Sequence, residues 1–479
     1  MRTRSRAVEW VVTWLLVGVL LAGGLAAAVF HRELLSATGL TRSGAPSTVD
    51  PSLFAPEPTP TATTQPASST GLIAAAGLPE AGKLPNRETL EARLAALDTS
   101  ELVKQEPETG VIAPAFEVLD VETGAVLAAR GNTTPLIPAS NTKTLTTLAV
   151  MNAFTGSETF ATRVVQPAAG QIVLVGGGDP TLLSEPAAAG AYPIPANTQT
   201  LAADTAAALV AAGQTSVTLG FDATLFTDPG WNATWPGNYR DQVTQLSALW
   251  VDEGRVDGAR SRTPALAAAV KFAEQLTAAG ITVTGEPTAI VASGPELARV
   301  ESLPMHVLVE TAMQRSNNSF TEVLGFQLAL KTGHPATFAG SVAAIQEQLT
   351  ALGLWDPGMV LHDASGLSRS NLVTPQSLVK AMRALASTPR LSVILDGLPT
   401  AGVTGTLADR FTDPVSSPAR GVARAKTGTL SGVSTLSGTT MTADGRLVAF
   451  AFFVNGSPAG WYAKIWADQA AGVVTACGC

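Results

Sequence analysis

The chain predicts an α/β domain assembled from both ends of the sequence and interrupted by a β-rich insert. Three observations carry this. Residues 114–130 read as a hairpin, AFEVLDV and GAVLAAR around a turn at 122–124 where glycine supplies the conformation. Towards the other end, GVSTLSGTTM and RLVAFAFFVN read as adjacent strands joined at 444–445, followed by a helix in WYAKIWADQAAGVV. Between them, short stretches such as QIVLVGGGDPTLL and GQTSVTLGFDATLF, broken by Gly and Pro, give way near residue 300 to long helical periodicity in VLVETAMQRSNNSFTEVLGFQLALKTG.

Taken in order, Arg2, Arg4 and Arg6 precede an uncharged stretch from Trp10 to Phe30, long enough to cross a bilayer once as a helix. Basic residues on the short side place the N-terminus inside and everything after Phe30 outside. Residues 1–31 are thus expected as a signal anchor or, since Ala26 and Ala28 resemble a small-residue cleavage pattern, as a signal peptide removed on maturation. Residues 32–72 are rich in Pro, Thr and Ser and nearly free of large apolar side chains, which suits an extended tether. The main domain is expected to be discontinuous, over 73–162 and 298–479, with the insert at 163–297.

Composition narrows the function. The 479 residues are 46% hydrophobic and 14% charged, enough for a large core. With 30 Lys and Arg against 38 Asp and Glu the formal charge is -8, and the soluble part has no basic tract, so no nucleic-acid partner is expected. Four histidines without a His-Glu-x-x-His string argue against a zinc peptidase, and no metal or organic cofactor is implied. Cys477 and Cys479 close the chain too late to frame a fold, and either a small terminal disulfide or free thiols fit them.

The chemistry lies in three short motifs. Ser140-Asn141-Thr142-Lys143 puts a hydroxyl and an amine on one face at a helix start. Serine needs an adjacent base, and lysine becomes one when burial or nearby cations lower its pKa. The helix start also aims backbone N–H groups at developing negative charge. Ser-x-x-Lys alone is weak, and a second copy, Ser377 to Lys380, is present; company and order decide between them. Ser316-Asn317-Asn318 is the one Ser-x-Asn, and Lys426-Thr427-Gly428-Thr429 follows on an expected strand, where Gly428 is expected to let a substrate backbone approach closely. The other Lys-Thr-Gly, Lys331 to Gly333, ends a helical run and reads as a C-cap.

In this order and spacing the motifs resemble the penicillin-binding protein and serine β-lactamase superfamily. GGGDPTL (176–182), SALWVDEG (247–254), HDASGLSRSN (362–371) and LPTAGVTGTL (398–407) narrow the resemblance to the low-molecular-mass class C D-Ala-D-Ala carboxypeptidases, peptidase family S13, over about residues 75–475. The resemblance implies an antiparallel sheet flanked by helices and an acyl-enzyme on Ser140, with Lys143 as base and Ser316 and Lys426 as the proton path to the leaving amine. It assigns Asn318 to the substrate peptide group and to orienting Lys143, and Thr427 and Thr429 to the terminal carboxylate. The N–H groups of Ser140 and Thr429 would form the oxyanion hole, and Asp222 would meet a diaminopimelate amino group, although an ordinary turn aspartate fits it equally. It implies peptidoglycan stem peptides as substrate, D-Ala-D-Ala carboxypeptidase and DD-endopeptidase turnover, covalent inhibition by β-lactams, and action outside the cytoplasmic membrane.

Two other classes compete: a wall-binding protein that has lost turnover, and a β-lactamase or esterase on the same scaffold. The intact set of five motif side chains argues against the first, and the large insert with its anchor and tether against the second. HDASGLSRSN reads as a structural loop beside the site because no Gly-x-Ser-x-Gly elbow surrounds Ser365. Trp231, Trp235 and Trp250 read as the core of the insert rather than as a sugar platform.

Overall fold

The computed structural model of the protein describes residues 82–103, 113–228 and 230–479. The apolar stretch and tether expected within residues 1–72 lie outside the described residues, among which no helix is long and apolar enough to cross a membrane. In chain order the strands are β1 (Ala115–Asp120), β2 (Val126–Arg130), β3 (Ala161–Ala168), β4 (Gln171–Val175), β5 (Ser216–Asp222), β6 (Arg255–Val256) and β7 (Ala259–Arg260). They continue with β8 (Thr282–Val283), β9 (Thr288–Ala289), β10 (Glu296–Glu301), β11 (Arg424–Leu430), β12 (Val433–Met441) and β13 (Leu447–Asn455).

The first hairpin and the last three strands form one five-stranded antiparallel sheet, ordered β11-β12-β13-β1-β2. Its centre explains why RLVAFAFFVN is apolar without alternation: both faces are covered. Ala449, Ala451 and Phe453 face a cluster with the helices Thr142–Ala153, Met305–Arg315, Asn318–Lys331, Phe338–Ala351 and Pro375–Ser387. Val448, Phe450, Phe452 and Val454 point the opposite way, into a cluster with the helices Arg87–Ala95 and Gly460–Thr475. Helix Thr142–Ala153 lies deep enough that every residue from Thr142 to Met151 is buried. Two of its buried threonines bond inward, Thr146 to the Ala364 carbonyl at 2.7 Å and Thr147 to that of Lys143 at 2.8 Å.

A second, six-stranded sheet runs β10-β3-β4-β5-β8, with β9 also paired to β5. Its β4–β5, β5–β8 and β5–β9 pairs are parallel, which requires crossovers. Beside the strands expected here, two helices that the sequence reading did not place, Thr198–Ala211 and Pro264–Ala278, pack on this sheet. Their alanine-rich sequences have high helix propensity but little polar contrast to mark a period. The three glycines of GGGDPTL are dictated by close packing. A Cβ on Gly176 would lie 2.4 Å from the Ala248 carbonyl oxygen and one on Gly177 2.1 Å from that of Ala161, while Gly178 adopts φ +76°.

One buried ion pair ties the ends of the main sheet. Arg446, before β13, donates to Asp120 at the end of β1, with Nη2 2.8 Å from Oδ1, and Thr123 adds N–H and O–H donors at 2.7 and 2.6 Å. Burial pushes the Asp120 carboxyl up, but the bonds from Arg446 and Thr123 outweigh it and hold the group at about 2. Arg446 also pairs with Glu122 and so keeps a partner, and Asp120→Ala is expected to cost about 1.5–3 kcal/mol at neutral pH through its lost charge-assisted hydrogen bonds, read by chemical denaturation. The depressed value means that this contribution is complete above the unfolded pKa and fades as pH falls through about 2, so variant and wild type should converge in strong acid.

Candidate active site

Ser140 stands on a turn that the chain forms under strain. The tight turn Ala139–Asn141 feeds helix Thr142–Ala153, and Ala139 is left-handed at φ +47°, a conformation costing about 1–3 kcal/mol that its surroundings must impose. They do so from two sides. On β12, Thr435 Oγ1 donates to the Pro138 carbonyl at 2.8 Å and accepts from Asn141 Nδ2 at 2.7 Å, while Ser437 Oγ donates to Asn141 Oδ1 at 2.5 Å. Gly366 presses from the other side, where a Cβ would lie 1.9 Å from the Ala139 carbonyl oxygen. Gly428 serves the same packing: its missing Cβ would meet Thr435 Oγ1 at 2.1 Å and the Pro138 oxygen at 2.6 Å. Beside the expected approach of a substrate backbone, Gly428 is thus required by close approach of the turn that carries Ser140.

Lys143 is fully buried, and its ammonium meets three acceptors: Ser140 Oγ at 3.0 Å, Asn318 Oδ1 at 2.6 Å and the Ser365 carbonyl at 2.6 Å. Burial lowers its pKa to about 8, against the fields of Asp363 and Glu322, which raise it. The neighbouring-ammonium cause expected from sequence acts chiefly in the other direction. Lys426, also fully buried, is held well below the usual lysine range by burial and by the charge of Lys143.

Ser316 and Asn318 flank a break between two helices. Ser316 caps Met305–Arg315 in the left-handed region at φ 50°, and Asn318 opens Asn318–Lys331. Lys426 Nζ donates to Ser316 Oγ at 2.7 Å and to the Thr427 carbonyl at 2.8 Å. Asn318 Nδ2 donates to the Gln242 carbonyl at 2.9 Å, so this side chain spans from Lys143 to the second region of the chain. On β11, Ala425 N–H leaves the sheet for the Pro399 carbonyl at 3.0 Å. Alternation along an antiparallel strand then directs the N–H groups of Thr427 and Thr429 outward as well, along the edge opposite β12. Thr429 is exposed, while Thr427 is buried with Oγ1 3.0 Å from Thr406 Oγ1.

HDASGLSRSN lies where the sequence placed it, beside the site, and supplies the Ser365 carbonyl to Lys143. Asp363 builds the loop, accepting from the N–H groups of Gly366 (2.9 Å) and Ser368 (2.6 Å), Asn371 Nδ2 (2.7 Å) and Trp235 Nε1 (2.7 Å). Trp235 is therefore more than core for its own region: it packs with Phe326 and Phe338 as well. SALWVDEG acts nearby, with Glu253 pairing Arg315 and accepting from Asn317 Nδ2 at 2.9 Å.

Asp222 is not joined to this cluster by any hydrogen bond or ion pair among the described residues. Its carboxylate accepts from Thr224 N–H (2.8 Å) and Thr224 Oγ1 (2.6 Å), the pattern of a turn aspartate, and from Ala292 N–H (2.7 Å) on another segment, and it lines a cavity of about 380 Å³ with Arg163 and Arg299. The second Ser-x-x-Lys is neutralised locally, Ser377 Oγ and Lys380 Nζ both donating to Asp356 at 2.6 and 3.1 Å. Lys331-Thr332-Gly333 does end a helix, with Gly333 at φ +81°. Cys477 and Cys479 form a disulfide. Sequence reasoning missed Glu322, Gln242 and Thr406; the signal available for Glu322 was a lone acid in the apolar run FTEVLGF, one turn after Asn318.

Comparison with known proteins gives the same answer. Carboxypeptidase Rv3627c of Mycobacterium tuberculosis is 33% identical over 420 residues, 84% of this chain and 88% of that protein. Carboxypeptidase DacB of Mycolicibacterium smegmatis is 32% identical over 82% of this chain and 85% of its own. The crystal structure of penicillin-binding protein 4 (dacB) from Haemophilus influenzae superposes with a TM-score of 0.65 over 78% of this chain and 98% of that one, at 21% identity, and so shares the fold. The model of the D-Ala-D-Ala carboxypeptidase 3 (S13) family matches residues 95–259 and 257–472, and the chain belongs to that family.

Proposed function

We propose that the chain is a serine-type D-alanyl-D-alanine carboxypeptidase in which Ser140 is acylated by peptidoglycan stem peptides. The observation that carries this reading is the contact of a buried lysine, held at about 8, with a half-buried serine hydroxyl at 3.0 Å. Neutral Lys143 takes the proton as Ser140 Oγ attacks the carbonyl carbon of the penultimate D-alanine. The tetrahedral oxygen gathers charge near the N–H groups of Ser140 and Thr429, the latter on the open edge of β11. As the C–N bond breaks, the leaving amine takes a proton through Ser316 and Lys426, which are 2.7 Å apart. Water then attacks the ester, releases the shortened peptide and restores Ser140.

Binding uses the same edge. A stem peptide adding to β11 as an antiparallel strand pairs with the outward groups of Thr427 and Thr429 and brings its terminal carboxylate to their hydroxyls and to Lys426. A β-lactam enters the same place as a strained amide, and its acyl product stays on Ser140. Gly428 acts through the turn behind Ser140. Asp222 is the weakest member of the set, since its carboxylate is already engaged by Thr224 in its own turn and by the Ala292 N–H from another segment. Arg2, Arg4 and Arg6 before the Trp10 to Phe30 stretch support a position outside the cytoplasmic membrane, anchored or released.

Intact mass with and without benzylpenicillin is expected to show a lasting adduct that Ser140→Ala abolishes; a folded wild type that neither gains mass nor consumes the drug would point to a binding protein. Lys143→Ala is expected to lower the acylation rate by about 10²–10⁴-fold, read with a chromogenic β-lactam. Because the base must be neutral, the rate should climb with pH up to about 8 and then level off. A profile already flat from pH 6 upward would remove Lys143 as the base. Release of D-alanine from a pentapeptide, set against cleavage of a cross-linked dimer, separates carboxypeptidase from endopeptidase turnover.

A further inference from the structure

Two carboxylates lie buried near Lys143 without a part in the reaction just described. Glu322 and Asp363 are each fully buried, and neither forms a side-chain ion pair among the described residues. Asp363 is occupied by four donors, three from its own loop and one from Trp235, and so accounts for the loop's shape. Glu322 comes from a different element, helix Asn318–Lys331. Its two oxygens accept from the main chain of the loop, Oε1 from Ser365 N–H at 2.8 Å and Oε2 from Ala364 N–H at 3.2 Å. The carbonyl of Ser365 is the one that receives Lys143. One side chain thus grips the N–H of the residue whose C=O grips the base, and Asn318, one turn earlier on its helix, grips the same ammonium.

Geometry also bears on the charge of Glu322. Both oxygens face N–H donors, which suits a carboxylate; in the protonated acid one oxygen would carry a hydrogen towards a donor. An ionised acid buried here needs a positive neighbour. The charged groups acting on Lys143 are Glu322 from the helix and Asp363 from the loop, while Lys426 on β11 feels its field. Burial and the field of Asp363 push Glu322 up to about 8, and burial brings Lys143 down to about 8 against the fields of Asp363 and Glu322.

We propose that Glu322 is a positioning residue for acylation: its carboxylate is the counter-charge of protonated Lys143 and holds the Ser365 carbonyl on Lys143 Nζ. The proposal rests on Lys143 being the base. Its effect is to stabilise the protonated lysine that forms when Ser140 gives up its proton, while keeping the amine aimed at Oγ.

The test is the pH profile of acylation by a chromogenic β-lactam, measured on the full chain. Glu322→Gln removes the counter-charge, so the acid limb is expected to move down by about one pH unit. At a fixed pH on that limb, the rate as a fraction of each enzyme's plateau then rises about tenfold. Glu322→Asp keeps the charge, so its limb stays with the wild type while its plateau falls because the shorter side chain holds the loop less well. A Glu322→Gln limb that does not move, whatever happens to its plateau, overturns the proposal.

A second readout needs neither turnover nor a folded Glu322 variant. In Lys143→Met the acid loses its counter-charge and binds its proton more tightly than in the unfolded chain, which stabilises at low pH and is lost as pH rises. The melting-temperature deficit of Lys143→Met against wild type is therefore expected to widen between about pH 6 and 9. A deficit that stays constant across that range overturns the pairing. Failure of the wild type to acylate defeats the Ser140 reading instead, and the melting series still decides the pairing.

Discussion

The site depends on one fact of physical chemistry: an ammonium group has been taken out of water and given three acceptors from three separate parts of the chain. Lys143 receives Ser140 from its own helix start, Asn318 from the next helical layer and Ser365 from a loop more than two hundred residues further on. A buried charge is tolerated only when its donors are used and its geometry is held. That requirement explains why the Ser140 turn is braced by Thr435, Asn141 and Gly366, and why the loop around Asp363 is so heavily bonded. It also explains the chemistry, because the desolvation that makes the lysine costly to bury leaves it ready to be neutral.

The central third of the chain takes part in this support. Gln242 gives its carbonyl to Asn318, Trp235 gives its indole N–H to Asp363, Asn232 donates to the His362 carbonyl at 2.6 Å, and Glu253 holds Arg315 and Asn317 on either side of Ser316. Each contact ends on the segment that presents a motif residue. The strings SALWVDEG and HDASGLSRSN therefore belong to one physical unit, although they come from different regions of the chain.

Much of this was legible in the order of the residues. The three motifs were found by spacing and order together: a hydroxyl and an amine three apart at a helix start share a face, the Ser377 decoy separated on company and order, and the Lys331 decoy on its place at a helix end. The hairpin β1–β2 and the strands β12 and β13 were visible because runs such as VLAAR and VAFAFFV have no helical period. What escaped was of two kinds. The carbonyls of Ser365, Gln242 and Thr427 do their work as main-chain atoms, and any side chain could stand above them. Glu322 was hidden by its helix, where one acid among apolar neighbours does not reveal whether it faces water or a lysine. The role of Gly428 had to be read from the space its missing Cβ leaves.

The pairing of Asp120 with Arg446 joins residues 326 positions apart, and Ala115 lies opposite Phe453 in the sheet. The strand beside the first hairpin is thus made long after the hairpin itself. During synthesis β1 and β2 have only each other, and an isolated two-stranded ribbon is marginal in water. The second sheet can draw all its strands from Ala161 to Glu301 long before β13 exists. Non-local pairing of this kind closes late and slowly. The Ser140 turn therefore gains its braces only once β12 has joined the sheet, and a product cut short before β12 lacks Thr435 and Ser437, which hold it.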